Sequence, residues 1–231
     1  MKILLLSYPR SGNTWCRYIL EFLTGYPSIG RPELLNPSDL HGTGTFCPEN
    51  FEGDIIFKAH GQDSTSRAIV QKCLDNGYTL LFLVRSPIEA LTRHMGVLTP
   101  SDLKDFDDPR EYYFTNIETF DSYTGPKKIL YYEDMIQHPR NFVNDVTAFL
   151  NVEDATSKIE KFMNDFEVHR RSGRDFYQRD DPSKCHTTGM SDSVNFHSKK
   201  YSSSFIQTMW IHMKDYRDPK IMKYIERYEK P

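Results

Sequence analysis

The sequence is short of most features that would assign it quickly. Its 231 residues contain four cysteines, Cys16, Cys47, Cys73 and Cys185, with no Cys-x-x-Cys and no metal-ligand spacing. Scattered cysteines of this kind suit reduced thiols in a cytosol-like compartment, although spacing leaves a disulfide between distant cysteines open. Long apolar runs are missing too. The apolar start, Ile3-Leu4-Leu5-Leu6, is four residues long and runs straight into Ser-Tyr-Pro-Arg. That is shorter than the apolar region of a signal peptide, and no later stretch approaches a membrane span. The expectation is a cytoplasmic chain with no membrane partner. Positive charge is not in excess either: 29 Lys and Arg face 32 Asp and Glu, for a formal net charge of -3, which argues against a nucleic-acid partner. No internal repeat and no dividing linker is visible, so residues 1–231 are expected to form one domain.

What is present is concentrated near the start, in Ser7-Tyr8-Pro9-Arg10-Ser11-Gly12-Asn13-Thr14-Trp15. The apolar run before it suits a strand buried on both faces, and Trp15, Tyr18, Ile19, Phe22 and Leu23 are spaced as one helix face, with Gly25 as the stop. A strand, a tight loop and a helix in that order aim free backbone N–H groups and the positive end of the helix dipole at one point, which suits phosphate or sulfate. Gly12 lets backbone approach closely, Arg10 adds a fixed charge, and Ser11 and Thr14 add hydroxyls. The motif is not a Walker A loop, because no Gly-x-x-x-x-Gly-Lys-Ser/Thr run occurs.

Further along, residues 26–53 are rich in Pro, Gly and Asn and read as a long excursion. Ile55-Ile56-Phe57 is a second short strand, leading into Lys58-Ala59-His60-Gly61. Residues 64–76 read as a helix, and Tyr78 to Val84 as the clearest strand, ending in Arg85-Ser86-Pro87 with a helix to about Leu98. Residues 99–109 are loop-like, 110–123 helical, and Ile129-Leu130-Tyr131-Tyr132 a fourth strand followed by Glu133-Asp134. Helical faces follow around Phe142–Leu150 and Ile159–Phe166. Residues 168–200 are polar and irregular, a flap or a segment ordered by ligand, and helices return around Phe205–Trp210 and 219–228. Alternating strands and helices predict an α/β fold, a three-layer parallel sheet with helices on both faces. In such sheets ligands bind beyond the carboxyl ends of the strands. Three of those ends are basic (Arg10, Lys58 with His60, and Arg85), while the fourth, Glu133-Asp134, breaks the pattern.

Four segments resemble the sulfotransferases that use 3′-phosphoadenosine 5′-phosphosulfate. Tyr8 to Trp15 resembles the family's Tyr-Pro-Lys-Ser-Gly-Thr-Thr-Trp loop, Lys58-Ala59-His60 its Lys-Thr-His segment, Val84 to Ala90 its Arg-Asn-Pro-x-Asp-Val segment, and Tyr132-Glu133-Asp134-Met135 its Tyr-Glu-Asp-Met segment. They occur in the family's order and cover residues 1–150 well and the remainder poorly. The resemblance implies that Arg10, Ser11, Gly12, Asn13 and Thr14 cradle the 5′-phosphosulfate, with Arg10 also at the reacting centre. It places Trp15 and Tyr132 on the adenine and Arg85 on the 3′-phosphate. It makes His60 the general base for a hydroxyl or amine acceptor, on a small molecule or a glycan, and Lys58 the group that neutralises charge on the transferring sulfuryl. No metal is implied. Trp15 also fits the apolar stripe of a core residue, and Arg85 could simply pair with Glu89.

Several positions depart from the family. Where it usually has a Ser contacting the 3′-phosphate, this chain has Arg93 with Thr92 beside it. The late segment that closes over the donor has no clean match; Lys184-Cys185-His186-Thr187-Thr188-Gly189 is the best candidate, with Arg170, Arg171 and Arg174 as competitors. The dimerisation motif and N-terminal extension of the animal cytosolic enzymes have no counterpart, so acceptor and oligomeric state stay open. A kinase of related topology or a catalytically silent binding module are the alternatives; the first would need a P-loop Lys and a carboxylate for Mg²⁺.

Overall fold

In β1 (Lys2–Ser7), successive side chains alternate between two apolar environments. Leu4 and Leu6 belong to one buried cluster, Ile3 and Leu5 to another, and all four are 0% exposed. A strand with two apolar faces requires a covering layer on each. The computed structural model, which describes residues 1–30, 33–36, 47–95, 107–180, 201–214 and 218–229, has that arrangement. Five parallel strands run in the order β2-β3-β1-β4-β5, with β2 at Ser28–Ile29, β3 at Ile55–Ala59, β4 at Thr79–Val84 and β5 at Lys127–Tyr131. The helices are α1 (Asn13–Thr24), α2 (Ser64–Asp75), α3 (Pro87–Met95), α4 (Asp107–Ser122), α5 (Tyr132–Gln137), α6 (Pro139–Leu150), α7 (Ala155–Asn164), α8 (Phe166–Asp180), α9 (Ser203–Lys214) and α10 (Pro219–Met222). Helices α2, α3, α4, α9 and α10 supply the cluster that holds Leu4, Phe57 and Phe82; α1, α5, α6 and α7 supply the one that holds Leu5, Ile56 and Leu81. The α/β class, the parallel sheet and the three layers match expectation.

Differences from the sequence reading have local causes. The excursion after α1 contains a two-residue edge strand, β2, held by two register pairs to β3, too short to leave an apolar pattern. Tyr132 does not end the fourth strand but opens α5. The expected irregular flap from 168 is helical to Asp180. Its packing face carries few apolar side chains, which is why periodicity missed it: the Tyr18 hydroxyl hydrogen-bonds His169 Nδ1 at 2.9 Å, and the His169 ring stacks on Phe162 at 4.9 Å. Gly173 lies against the Trp15 indole, where an added Cβ would meet ring carbons at 2.9 and 3.2 Å. The remainder of that flap, residues 181–200, lies outside the described residues, as do residues 37–46 of the excursion and 96–106 beyond α3.

The acidic fourth strand end also finds its reason. Glu133 is 7% exposed; its carboxylate accepts from the Ser86 backbone N–H at 3.2 Å, at the start of α3, and from the Tyr228 hydroxyl at 2.5 Å. Asp134 takes both arms of Arg227, at 2.9 and 2.7 Å. The two carboxylates therefore bind the chain's last described segment to the sheet. Glu133→Ala would leave a backbone donor and a phenol unpaired, and should lower the unfolding free energy by about 2–4 kcal/mol in denaturant titrations, against about 1 kcal/mol for Glu133→Gln. Equal small losses for both would show that Glu133 does not anchor this segment.

Candidate functional site

The loop between β1 and α1 is strained at its centre. Arg10 has φ 66° and Gly12 φ 88°. The left-handed region costs a residue with a Cβ roughly 1–2 kcal/mol, so Arg10 must be held there. Arg85 does this: its Nη1 donates to the Arg10 carbonyl at 3.0 Å. Gly12 has a second reason to be glycine, because a Cβ there would overlap the Tyr132 ring. Helix α1 then opens with no side-chain cap and no acidic residue in its first turn. Its first N–H groups and dipole are turned to whatever lies beyond the loop. Asn13 and Thr14 form this turn and are half-buried. Ser11 is 0% exposed and its hydroxyl has no hydrogen-bond partner among the described residues. An orphaned buried hydroxyl at an uncapped helix start, beside a cation, fits an anionic phosphate or sulfate group.

Other cations reach the same place. Arg85 is 2% exposed; it lies 4.0 Å over the Tyr132 ring and 3.7 Å from Glu89, and its own carbonyl accepts from the Tyr113 hydroxyl at 2.6 Å. Glu89 thus does pair with Arg85, one of the alternatives considered for that residue. Arg93 is half-buried one helical turn on; burial first, then the charge of Arg85 and more weakly that of Arg10, disfavour its cation, while Tyr132 and Glu89 favour it. Thr92, the alternative to Arg93, is 0% exposed and donates its hydroxyl to the Ile88 carbonyl at 2.6 Å. Trp15 is 6% exposed in an aromatic group with Tyr18 at 5.3 Å, Phe162 at 6.0 Å and Phe166 at 6.1 Å; its indole N–H is buried without a partner among the described residues.

On β3, Lys58 is half-buried, and burial followed by the charge of Arg17 lowers its pKa to about 8. His60 Nδ1 lies 2.9 Å from the Ser7 carbonyl oxygen. A carbonyl only accepts, so Nδ1 carries the proton and Nε2 is left with its lone pair. The His60 carbonyl accepts from Asn116 Nδ2 at 2.8 Å, which fixes the residue from the far side. Burial, then the charge of Lys58, lowers the His60 pKa to about 3, against the opposing pull of the Ser7 carbonyl.

Sequence reasoning missed three neighbours, His94, Gln62 and Asn116. His94, on α3, sets its ring edge-on to Tyr8 at 5.5 Å and meets Gln62 at 3.2 Å, and its charge is felt by His60. Asn116 comes from α4. No local motif marks any of the three. Lys184 lies outside the described residues. Of its competitors, Arg170 pairs with Glu167 at 3.0 Å and Arg171 is exposed. Among the described residues, no three His, Cys, Asp or Glu side chains are grouped to hold a metal ion, Cys16, Cys47 and Cys73 are free thiols, and no helix is long and apolar enough to cross a membrane.

Comparison with known proteins places this geometry. No family model matches the sequence. The chain is 26% identical over 166 residues to WSCD family member CG9164 of Drosophila melanogaster, covering 63% of this chain and 49% of that protein. It is 25% identical over 167 residues to WSCD family member AAEL009094 of Aedes aegypti, covering 64% and 49%. The chain spans about half the length of the curated relatives it matches. Among solved structures, mouse sulfotransferase SULT7A1 complexed with PAP matches with TM-score 0.60 and 13% identity, over 99% of this chain and 88% of that one. The protein has the sulfotransferase fold.

The electrostatics of His60 generate a stability prediction. The imidazole is neutral in the fold, while the unfolded chain takes up a proton below about pH 6.5, so the unfolded state binds more protons as pH falls toward about 3. Stability is therefore lost on acidification through that window. Between pH 7 and pH 5, wild type should lose about 1–2 kcal/mol more than His60→Asn in denaturant titrations. Identical losses would mean that His60 takes up its proton in the folded protein as readily as in the unfolded chain.

Proposed function

We propose that the protein is a sulfotransferase that moves a sulfuryl group from 3′-phosphoadenosine 5′-phosphosulfate to a hydroxyl or amine acceptor, on a small molecule or a glycan. The observation that carries this reading is the cluster of Arg10, Arg85 and Arg93 around the uncapped start of α1 and the orphaned Ser11 hydroxyl. In a chain of formal net charge -3, such a concentration of cations is costly unless an anion of several charges is their partner. The fold shared with a PAP-complexed sulfotransferase supports the same donor.

In this reading Arg10, Ser11, Gly12, Asn13 and Thr14 take the 5′-phosphosulfate. Tyr132, which packs against Gly12 and Arg85, faces the adenine, with Trp15 forming the wall behind it. Arg93 meets the 3′-phosphate, with the buried Arg85 adding charge from beneath; the Thr92 hydroxyl is committed to its own helix. Lys184 keeps the role of closing over the donor. His60 Nε2 removes the acceptor proton as the acceptor oxygen or nitrogen forms its bond to sulfur. The bond from sulfur to the bridging phosphate oxygen breaks, and its electron pair leaves with the bisphosphate. A His60 pKa of about 3 describes the site without anions; the donor's charge offsets Lys58 and Arg10 and moves His60 back toward the working range of a base. The free thiols fit a cytoplasmic setting, with residues 1–231 as one transferase domain.

Two experiments test this. A ligand that binds only the folded state stabilises by about 2.7 kcal/mol at a hundredfold excess over its dissociation constant. Adenosine 3′,5′-bisphosphate should therefore raise the melting temperature far more than ATP with Mg²⁺, and Arg93→Ala should shrink that rise while Thr92→Ala keeps it. A rise with ATP alone would favour a kinase. With labelled donor and an accepted acceptor, His60→Ala should cut turnover on the order of a hundred- to ten-thousandfold while bisphosphate binding persists. Parallel loss of binding and turnover would make His60 a donor-binding residue instead.

A further inference from the structure

Arg17 is among the largest side chains buried in the molecule, at 0% exposed. Its Nε and Nη2 donate to the Ser28 hydroxyl at 3.0 and 2.7 Å, and Nη2 also donates to the Gly30 carbonyl at 3.0 Å. The Ser28 hydroxyl donates in turn to the Glu21 carboxylate. The other oxygen of Glu21 accepts the backbone N–H groups of Leu35 and Asn36, both at 2.8 Å. A guanidinium this deep persists only when fixed acceptors satisfy its fork. Here they are supplied by the edge strand and the residues just after it.

The clamp lies against the lysine assigned to the reacting centre. Strand β2 pairs with β3 at Ser28 with Ile56 and at Ile29 with Phe57, so the next residue, Gly30, comes alongside Lys58. A Cβ on Gly30 would stand 3.3 Å from Arg17 Nη1 and 3.7 Å from Lys58 Cβ. One backbone unit thus separates the guanidinium from the Lys58 stem. We propose that Arg17, clamped by Ser28, Gly30 and Glu21, is a positioning residue for Lys58: the clamp fixes the edge strand against the Lys58 stem and keeps a second cation beside its amine. This rests on the reading of Lys58 as the group that faces the transferring sulfuryl.

The charge environment agrees with the geometry. The groups that bear on Lys58 are Arg17 from α1, with Glu21 behind it, and His60 at the end of its own strand. After burial, the Arg17 charge is the cause that lowers Lys58 to about 8. Near pH 8 the amine is thus about half protonated until an anion arrives. An anionic group arriving at the Lys58 amine favours the ammonium and fixes it on the oxygens that gain charge during transfer.

The test reads Lys58 directly and needs neither donor nor acceptor. Its rate of acetylation by acetic anhydride is followed against pH by peptide mass spectrometry in wild type, in Arg17→Gln with Glu21→Gln, and in Ser28→Ala. The double variant removes both buried charges together, so neither is left unpaired. Wild-type Lys58 should be half-reactive near pH 8, and the double variant should move that midpoint measurably upward, toward the ordinary 10.5. If the double variant does not fold, Ser28→Ala, which keeps both charges and loosens the fork, should show a smaller rise in the same direction. A wild-type midpoint near 10.5, or a midpoint unmoved in every folded variant, overturns the proposal. Sulfuryl transfer is scored separately: a moved midpoint in an enzyme with no transfer activity removes the sulfotransferase reading and leaves the Arg17–Lys58 relation standing. Transfer that survives with an unmoved midpoint does the reverse.

Discussion

The hydrogen bond from Arg85 to the Arg10 carbonyl joins the loop after β1 to the loop after β4, and the site depends on it. Arg10 is held in a conformation that its own Cβ disfavours. Arg85 can hold it because Arg85 is itself fixed, by the Tyr132 face, by Glu89, and by the Tyr113 hydroxyl on its carbonyl. Those contacts come from α3, α4 and the start of α5, so the loop's shape is a property of the packed sheet and helices. The strain is of order 1–2 kcal/mol, comparable with one hydrogen bond to a charged donor. Without the Arg85 contact, the loop would have little reason to keep its N–H groups aimed outward.

Charge is the second constraint. Arg10, Arg85, Arg93, Lys58 and His60 act on one another, and the effects on Lys58, His60 and Arg93 include penalties from neighbouring positive charges. Glu89 and Glu133 offset Arg85, while among the described residues the Lys58 end is offset at second hand, through Glu21 behind Arg17. Such a site gains more from an anion than an isolated lysine does, because the ligand removes several repulsions as it makes its contacts. Burial first, and then the same field, keeps His60 neutral, with Nε2 available while Nδ1 stays on the Ser7 carbonyl.

Much of this was legible in the sequence, for a physical reason. Short apolar runs followed by Gly, Arg, Lys or His mark strand ends in a parallel sheet, and the motif residues of the first 150 positions sit on those ends. What escaped shares one character: polar residues used as packing. Helix α8 docks through His169 and Gly173, the edge strand through Arg17, Ser28 and Glu21, and the C-terminal segment through Glu133 and Asp134. Hydrophobic periodicity cannot register a face built from a histidine, a glycine and a buried arginine and glutamate joined through a serine hydroxyl. His94, Gln62 and Asn116 were invisible for another reason, since only the fold brings α3 and α4 against the β3–α2 loop that carries His60.

The central claim is that these strand ends form a site for a nucleotide with phosphates at both the 5′ and the 3′ positions. Calorimetric titration of the purified protein with adenosine 3′,5′-bisphosphate and with adenosine 5′-monophosphate, at one fixed salt concentration, tests it most directly. The arginines assigned to the 3′-phosphate should make the bisphosphate bind at least about tenfold tighter, a difference of roughly 1.4 kcal/mol. Equal affinities for the two nucleotides, or no heat from the bisphosphate, would contradict it.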